Sequence, residues 1–286
     1  MHQSLPSVTP QLASRLEESI AFFSTEKQRM LSLCPGNPYG AYTRSFGKAV
    51  ALLAQKAHSG LYNRVHHISG DDVGFLDEII EWYRSSGGIC SFQVVPLLSS
   101  PSLLWQLAKH GFYQSGFYNV LYGLPAIQQA SFPQLTIRSV EPEEKETFVD
   151  IYFNSFGLPK TAAYGYVHES MSRLIDVSSN NCFFALVDKK PVAIAILSLY
   201  QQVGYLALAA TLPSFRAYGC HQALLQARIT RAISQECELI VGQAGVATGS
   251  QRNMERSGLR LAYTKTDWTI YNALADPDKN TTSFNR

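Results

Sequence analysis

Residues 213–232, PSFRAYGCHQALLQARITRA, place a proline, an arginine and a glycine directly before a run with helical apolar spacing, Leu224, Leu225, Ile229 and Ala232. The preceding run, YLALAAT (205–211), has strand character, so the segment is a strand, a turn and a helix. The start of such a helix carries unpaired backbone N–H groups and the positive end of the helix dipole, which together attract an anion, most often phosphate. Gly219 lets the backbone approach that anion without a Cβ, and Arg216 adds charge. Many strand-to-helix turns carry a glycine and bind nothing, so an anion site and an empty turn are both open. With no Gly-Lys-Ser/Thr and a lone glycine, Walker and Rossmann nucleotide sites are disfavoured.

The layout around this helix occurs twice. FLDEIIEWYRSSGGICSFQVVP (75–96) and ALLQARITRAISQECELIVGQ (223–243) each read as helix, break and strand. Each is followed by a helix that stops at a glycine, Gly111 or Gly258, and by a final strand, which suggests an internal duplication. Pro125 and Pro133 bracket a polar stretch between the halves. The expected limits are one domain over 1–125, a second over 126–275 and a polar tail over 276–286. The expected class is α/β, with a mixed α+β sheet in each half.

Composition narrows the partners. Hydrophobic residues make up 46% and charged residues 16%, a balance that supports packed cores. A net charge of +2 without basic runs gives no footprint for nucleic acid. No apolar run approaches the ~20 residues of a membrane span, and the first residues lack a signal-peptide pattern, so a cytoplasmic protein is expected. The five scattered cysteines indicate neither disulfides nor a zinc site. The adjacent His66 and His67 would point to opposite faces of a strand, so no metal is expected.

Strand, Pro213, Phe215, Arg216, Gly219 and the helical ALL resemble the acetyl-CoA loop of the GNAT acyltransferase superfamily, and NMERSGLRLAY (253–263) resembles its closing helix, turn and strand. The likeness is strong over 134–272 and weak over the first half. It implies two tandem GNAT-like acyl-CoA N-acyltransferase domains. In the second, Arg216, Ala217, Tyr218, Gly219, Cys220 and His221 would cradle the CoA pyrophosphate, mainly through backbone N–H groups. Ala209, Ala210 and Thr211 would hold the pantetheine arm, and an N–H there could stabilise the oxyanion.

Three positions depart from the family pattern. His221 stands where glycine or alanine is usual, Met254 where a tyrosine often protonates the leaving thiolate, and Ala247 where an asparagine often precedes it. Ser250 and Asn253 are polar alternatives on the same helix; Ser250 also suits a helix cap, as does Thr248, and Asn253 suits a CoA contact. Tyr205 is a weak catalytic candidate, and His168, Glu169 and Tyr164 lie where the family builds its acceptor site. For each of these, packing or solvent exposure is the alternative. Cys220 could carry thiolate character at a helix start or be inert.

In the first half the equivalent turn is RVHHISGDDVGFLDE (64–78), where Asp71 and Asp72 would oppose a pyrophosphate, so that half is expected to be degenerate. It would shape the structure or the acceptor site, with Tyr39, Tyr42 and Tyr62 as aromatic candidates and core packing as the alternative for each. The resulting expectation is an acetyl-CoA-dependent N-acetyltransferase in which a small-molecule or peptide amine attacks the thioester directly. The alternatives are a non-catalytic acyl-CoA-binding sensor or scaffold, and an interaction module whose loop is empty.

Overall fold

The computed structural model describes residues 4–57, 59–127, 131–159 and 163–270; the expected tail, 276–286, lies outside them. The first half contains α1 (Pro10–Ser32), β1 (Ala41–Phe46), β2 (Ala49–Ala54), β3 (Arg64–Ile68), α2 (Leu76–Ser85), β4 (Ser91–Val94), α3 (Pro101–Lys109) and β5 (Phe112–Gly123). The second contains β6 (Thr136–Ser139), α4 (Lys145–Phe156), α5 (Ala163–Arg173), β7 (Asn180–Val187), β8 (Lys190–Tyr200), β9 (Val203–Thr211), α6 (Cys220–Ser234), β10 (Leu239–Ala244), α7 (Gly249–Arg256) and β11 (Arg260–Ile270).

Local chemistry sets the ends of these elements. Thr9 and Ser100 cap α1 and α3 by accepting from Leu12 N–H at 3.2 Å and Leu103 N–H at 3.1 Å, and proline follows each cap where no N–H is needed. Gly111 and Gly258 adopt φ of +82° and +86° just beyond α3 and α7, the stops expected from the sequence.

The chain divides into two compact units that do not follow chain order. Among the described residues, one comprises Val8–Asn119 and 263–270; the other comprises Val120–Ala262 and 4–7. In the first, β1, β2 and β3 pair antiparallel in succession, and β3 pairs parallel with β4 across α2. In the second, β6, β7, β8 and β9 pair antiparallel in succession, and β9 pairs parallel with β10 across α6. The two sets of strands thus repeat one plan, as the duplicated sequence layout implies.

The closing strands are exchanged. The strand beside β4 is β11, with Thr266 opposite Val94 and Trp268 opposite Phe92, whereas β5 lies beside β10. Side chains on β11 account for its place. Lys265 Nζ donates to both Glu17 carboxylate oxygens of α1 at 2.9 and 3.1 Å, and Tyr263 donates to Glu17 at 3.0 Å. Asp267 accepts from Arg64 and from Gln93, each at 3.0 Å. Lys265 and Glu17 are both buried, so either alone would be an uncompensated charge in the core.

Apolar packing surrounds these pairs. Phe92, Phe112, Leu103, Leu107, Ile79 and Tyr83 form the core of the first unit. The second core packs α6 and α7 on the sheet through Leu224, Leu225, Ile229, Ala232, Met254 and Leu259. Tyr62, an expected cleft aromatic, is buried with the Lys27 ammonium 4.3 Å above its ring. Burial and then the charge of Arg64 push Lys27 down to about 7. His66 is held well below its ordinary value, mainly by burial. Among the described residues no helix is long and apolar enough to cross a membrane.

Candidate functional site

The site is built where β9 leaves β10. The two strands pair from Val203 opposite Leu239 to Leu206 opposite Gly242 and no further. β9 continues to Thr211 on β8 alone, with an irregularity between Ile196 and Ser198. Past Leu206 the side of β9 that faced β10 thus has no paired strand beside Ala207, Leu208 and Ala209, which are half-buried, and this gap is the candidate cleft.

From Thr211 the chain passes through a 3-10 turn at Pro213–Phe215 into α6. Ala217 and Gly219 hold φ of +72° and +83°, so a left-handed backbone turns the chain onto the helix. Ala223 N–H to Gly219 C=O, at 2.9 Å, is the first helical bond, which leaves the preceding amides at the helix start. No side chain caps them, whereas Thr248 accepts from Gln251 N–H at 3.3 Å at the start of α7. Thr248 is thus the cap of α7, and Ser250 lies within its first turn, half-buried.

Several expected site residues take different parts. The Arg216 guanidinium donates to the Ser155 carbonyl at the end of α4, 2.9 Å away, and so braces the turn. Tyr218 is exposed with its ring edge-on to Phe215, and its carbonyl accepts from Gln134 at 3.0 Å. Cys220 is buried, and burial pushes its thiol up, so it carries no thiolate character. His221 lies 3.3 Å from the Asn253 amide, which turns its side chain toward α7. Burial, with the charge of Arg228, pushes His221 down to about 4, so the imidazole is neutral and Asn253 donates to Nδ1. Met254 is buried in the core against β10, and a Cβ at Gly242 would lie 2.6 Å from its sulfur.

The opposite face of β9 carries Tyr205, whose hydroxyl accepts from Gln243 Nε2 at 2.6 Å. Ser198, paired across the sheet with Tyr205, is buried with its hydroxyl unsatisfied among the described residues. On α5, His168 lies 3.0 Å from the Glu146 carboxylate, and Tyr164 packs on both His168 and Phe153. Glu169 is paired with Arg173 at 2.9 Å, one turn along the same helix.

Sequence reasoning missed Gln243, Ser198 and Arg228. Arg228 had a signal: it falls on the apolar stripe of α6 between Leu224 and Ala232, where a solvated charge would not lie.

The equivalent turn of the other unit is closed by its own carboxylate. Asp72 is buried and accepts from Ser69 N–H at 2.9 Å, Ser69 Oγ at 2.7 Å and Lys48 N–H at 2.9 Å. Ser69 in turn accepts from Asp71 N–H at 3.3 Å, and Asp71 is exposed. A carboxylate of the chain itself thus caps this turn, whereas no side chain caps the start of α6. Nearby, His67 has φ of +56° at an irregularity in β3 and bonds Ser14 at 2.9 Å, whereas His66 is hydrogen-bonded to Gln93. Among the described residues no three His, Cys, Asp or Glu side chains come together as metal ligands.

No protein-family model and no curated protein matches the chain. Solved structures do match. A GCN5-related N-acetyltransferase from Kribbella flavida aligns over 89% of this chain and 96% of its own, with a TM-score of 0.62 at 17% identity. Another from Sphaerobacter thermophilus covers 80% and 79%, at 0.56 and 14%. A tandem GNAT protein from the clavulanic acid biosynthesis pathway covers 90% and 97%, at 0.57 and 11%.

Proposed function

Starting from the fact that this chain has the tandem GNAT fold, we propose that it is a cytoplasmic acetyl-CoA-dependent N-acetyltransferase whose working site lies in the unit containing β9 and α6. The observation that carries this reading is the coincidence of an uncapped helix start at Gly219 with the separation of β9 from β10. Phosphates need the first feature, and an extended amide-bearing arm needs the second.

Backbone N–H groups of Ala217, Gly219, Cys220 and His221 would hold the pyrophosphate, while those of Arg216 and Tyr218 donate to the Pro213 and Phe215 carbonyls at 3.3 and 3.4 Å. Ala209, Ala210 and Thr211 would pair with the pantetheine arm, and Asn253 would border it. Acetyl-CoA supplies the activated acyl group. An amine of a small molecule or peptide attacks its carbonyl, with an N–H of the β9 edge at the developing oxyanion. His168, partnered by Glu146, is the candidate to receive the ammonium proton, directly or through water. Tyr205 and Ser250 are the remaining catalytic candidates; Tyr205 with Gln243 would orient the acceptor. Met254 is excluded as a proton donor by its chemistry and its burial.

A second reading, an acyl-CoA-binding sensor or scaffold, draws on that same methionine. Calorimetric titration with acetyl-CoA, followed by thiol release across a panel of amines, separates the readings. Saturable binding with amine-dependent release supports the enzyme, binding without release supports the sensor, and no binding by folded protein defeats both.

A further inference from the structure

Arg228 projects from α6 into the interior with 2% of its surface exposed. Its Nε donates to the Leu224 carbonyl at 3.2 Å, and its Nη1 donates to the carbonyls of Leu208 at 3.1 Å and Ile196 at 3.5 Å. Ile196 and Leu208 are opposite one another on β8 and β9, and Leu208 lies just past the last β9–β10 pair. The guanidinium is therefore fastened on the β8–β9 seam at its irregularity, at the residue of β9 that precedes Ala209. No carboxylate among the described residues pairs with it, and neutral carbonyls leave its unit charge uncompensated.

Burial pushes Arg228 down to about 9, so the side chain is still a cation at neutral pH. An uncompensated charge in a low-dielectric interior disfavours the folded state, and a well-packed apolar residue would serve the core better. Its field already acts on the neighbouring imidazole of His221.

We propose that Arg228 stabilises the thiolate that leaves when the acyl group is transferred, an inference that rests on the cleft beside β9 holding the pantetheine arm. The amine lone pair forms the new C–N bond, and the C–S bond breaks with its electron pair going to sulfur. The amine proton passes to the base or to water, and the sulfur departs as an anion that solvent later protonates. A fixed cation beside the end of the arm lowers the energy of that anion without giving up a proton. Arg228 acts through its charge and its hold on the Leu208 carbonyl.

The test is a titration of the thiol of CoA bound to the full chain, followed by ultraviolet absorbance of the thiolate, with CoA lacking the sulfur as the blank. Burial raises the thiols of Cys90, Cys182, Cys220 and Cys237, which separates them from the signal. The bound thiol is expected to titrate about one pH unit or more below free CoA, a tenfold shift in its ionisation. Arg228→Met should abolish that shift while CoA still binds, and Arg228→Lys should keep part of it. A wild-type thiol that titrates at or above the free value overturns the proposal even if Arg228→Met does not fold. An unchanged shift in folded Arg228→Met also overturns it. Absence of saturable CoA binding is a separate result, which defeats the reading of the cleft itself.

Discussion

Gly219 lies against the ring of Phe132: a Cβ at residue 219 would stand 2.8 Å from Cδ1 and 2.9 Å from Cε1. Its φ of +83° already disfavours any side chain. Gly219→Ala is therefore expected to destabilise the protein by about 1–3 kcal/mol, from backbone strain plus displacement of Phe132. Gly219→Glu adds a negative charge at the helix start and is expected to abolish acetyl-CoA binding. Urea unfolding and calorimetry check the two effects; unchanged affinity in Gly219→Glu would remove the phosphate site from this turn.

Asp72 closes the other helix start. Asp72→Ala removes the acceptor for Ser69 N–H, Ser69 Oγ and Lys48 N–H, and is expected to cost about 2–4 kcal/mol. Acetyl-CoA affinity should stay within about twofold, because only a structural cap is lost. Paired denaturation and calorimetric measurements test both halves of this expectation.

Glu17 and Lys265 hold β11 in the first unit. Glu17→Ala leaves a buried ammonium unpaired and is expected to cost about 3–5 kcal/mol. The double change Glu17→Leu with Lys265→Met removes both charges and is expected to recover most of that loss. Denaturant unfolding of both variants measures it; a double variant no more stable than Glu17→Ala would show that the loss is not the cost of an unpaired buried ammonium.

Lys27 gives stability a pH dependence of known sign. Its folded value is about 7, against an ordinary 10.5. Between those values the unfolded chain holds a proton that the folded chain has released, so stability rises with pH across that window. Lys27→Met should be more stable than wild type near pH 7, and its advantage should shrink by about 2 kcal/mol or more by pH 10. Unfolding curves for both proteins at several pH values check the convergence.

Much of the architecture is written in local patterns. Helical spacing, the stops at Gly111 and Gly258, and the lone glycine before α6 each depend on residues a few positions apart, so the repeated plan and the open helix start could be read directly. The fate of individual side chains was less legible. The sequence offers Arg216 as a charge at the turn but not its bond to the Ser155 carbonyl of α4, and Asp72 as a charge opposing a pyrophosphate but not its acceptance from the Lys48 amide of the turn between β1 and β2.

By itself the sequence determined the strand, turn and helix around Gly219, the helices that stop at Gly111 and Gly258, and the duplicated layout, because these follow from backbone propensity and periodicity within short windows. Only the tertiary structure decided that β11 closes the first unit and β5 the second, that Met254 is core, and that Arg228 is buried on the β8–β9 seam. Strand neighbours and buried charges are chosen by partners far away in the chain, such as Glu17 for Lys265 and Leu208 for Arg228. No local pattern carries that information.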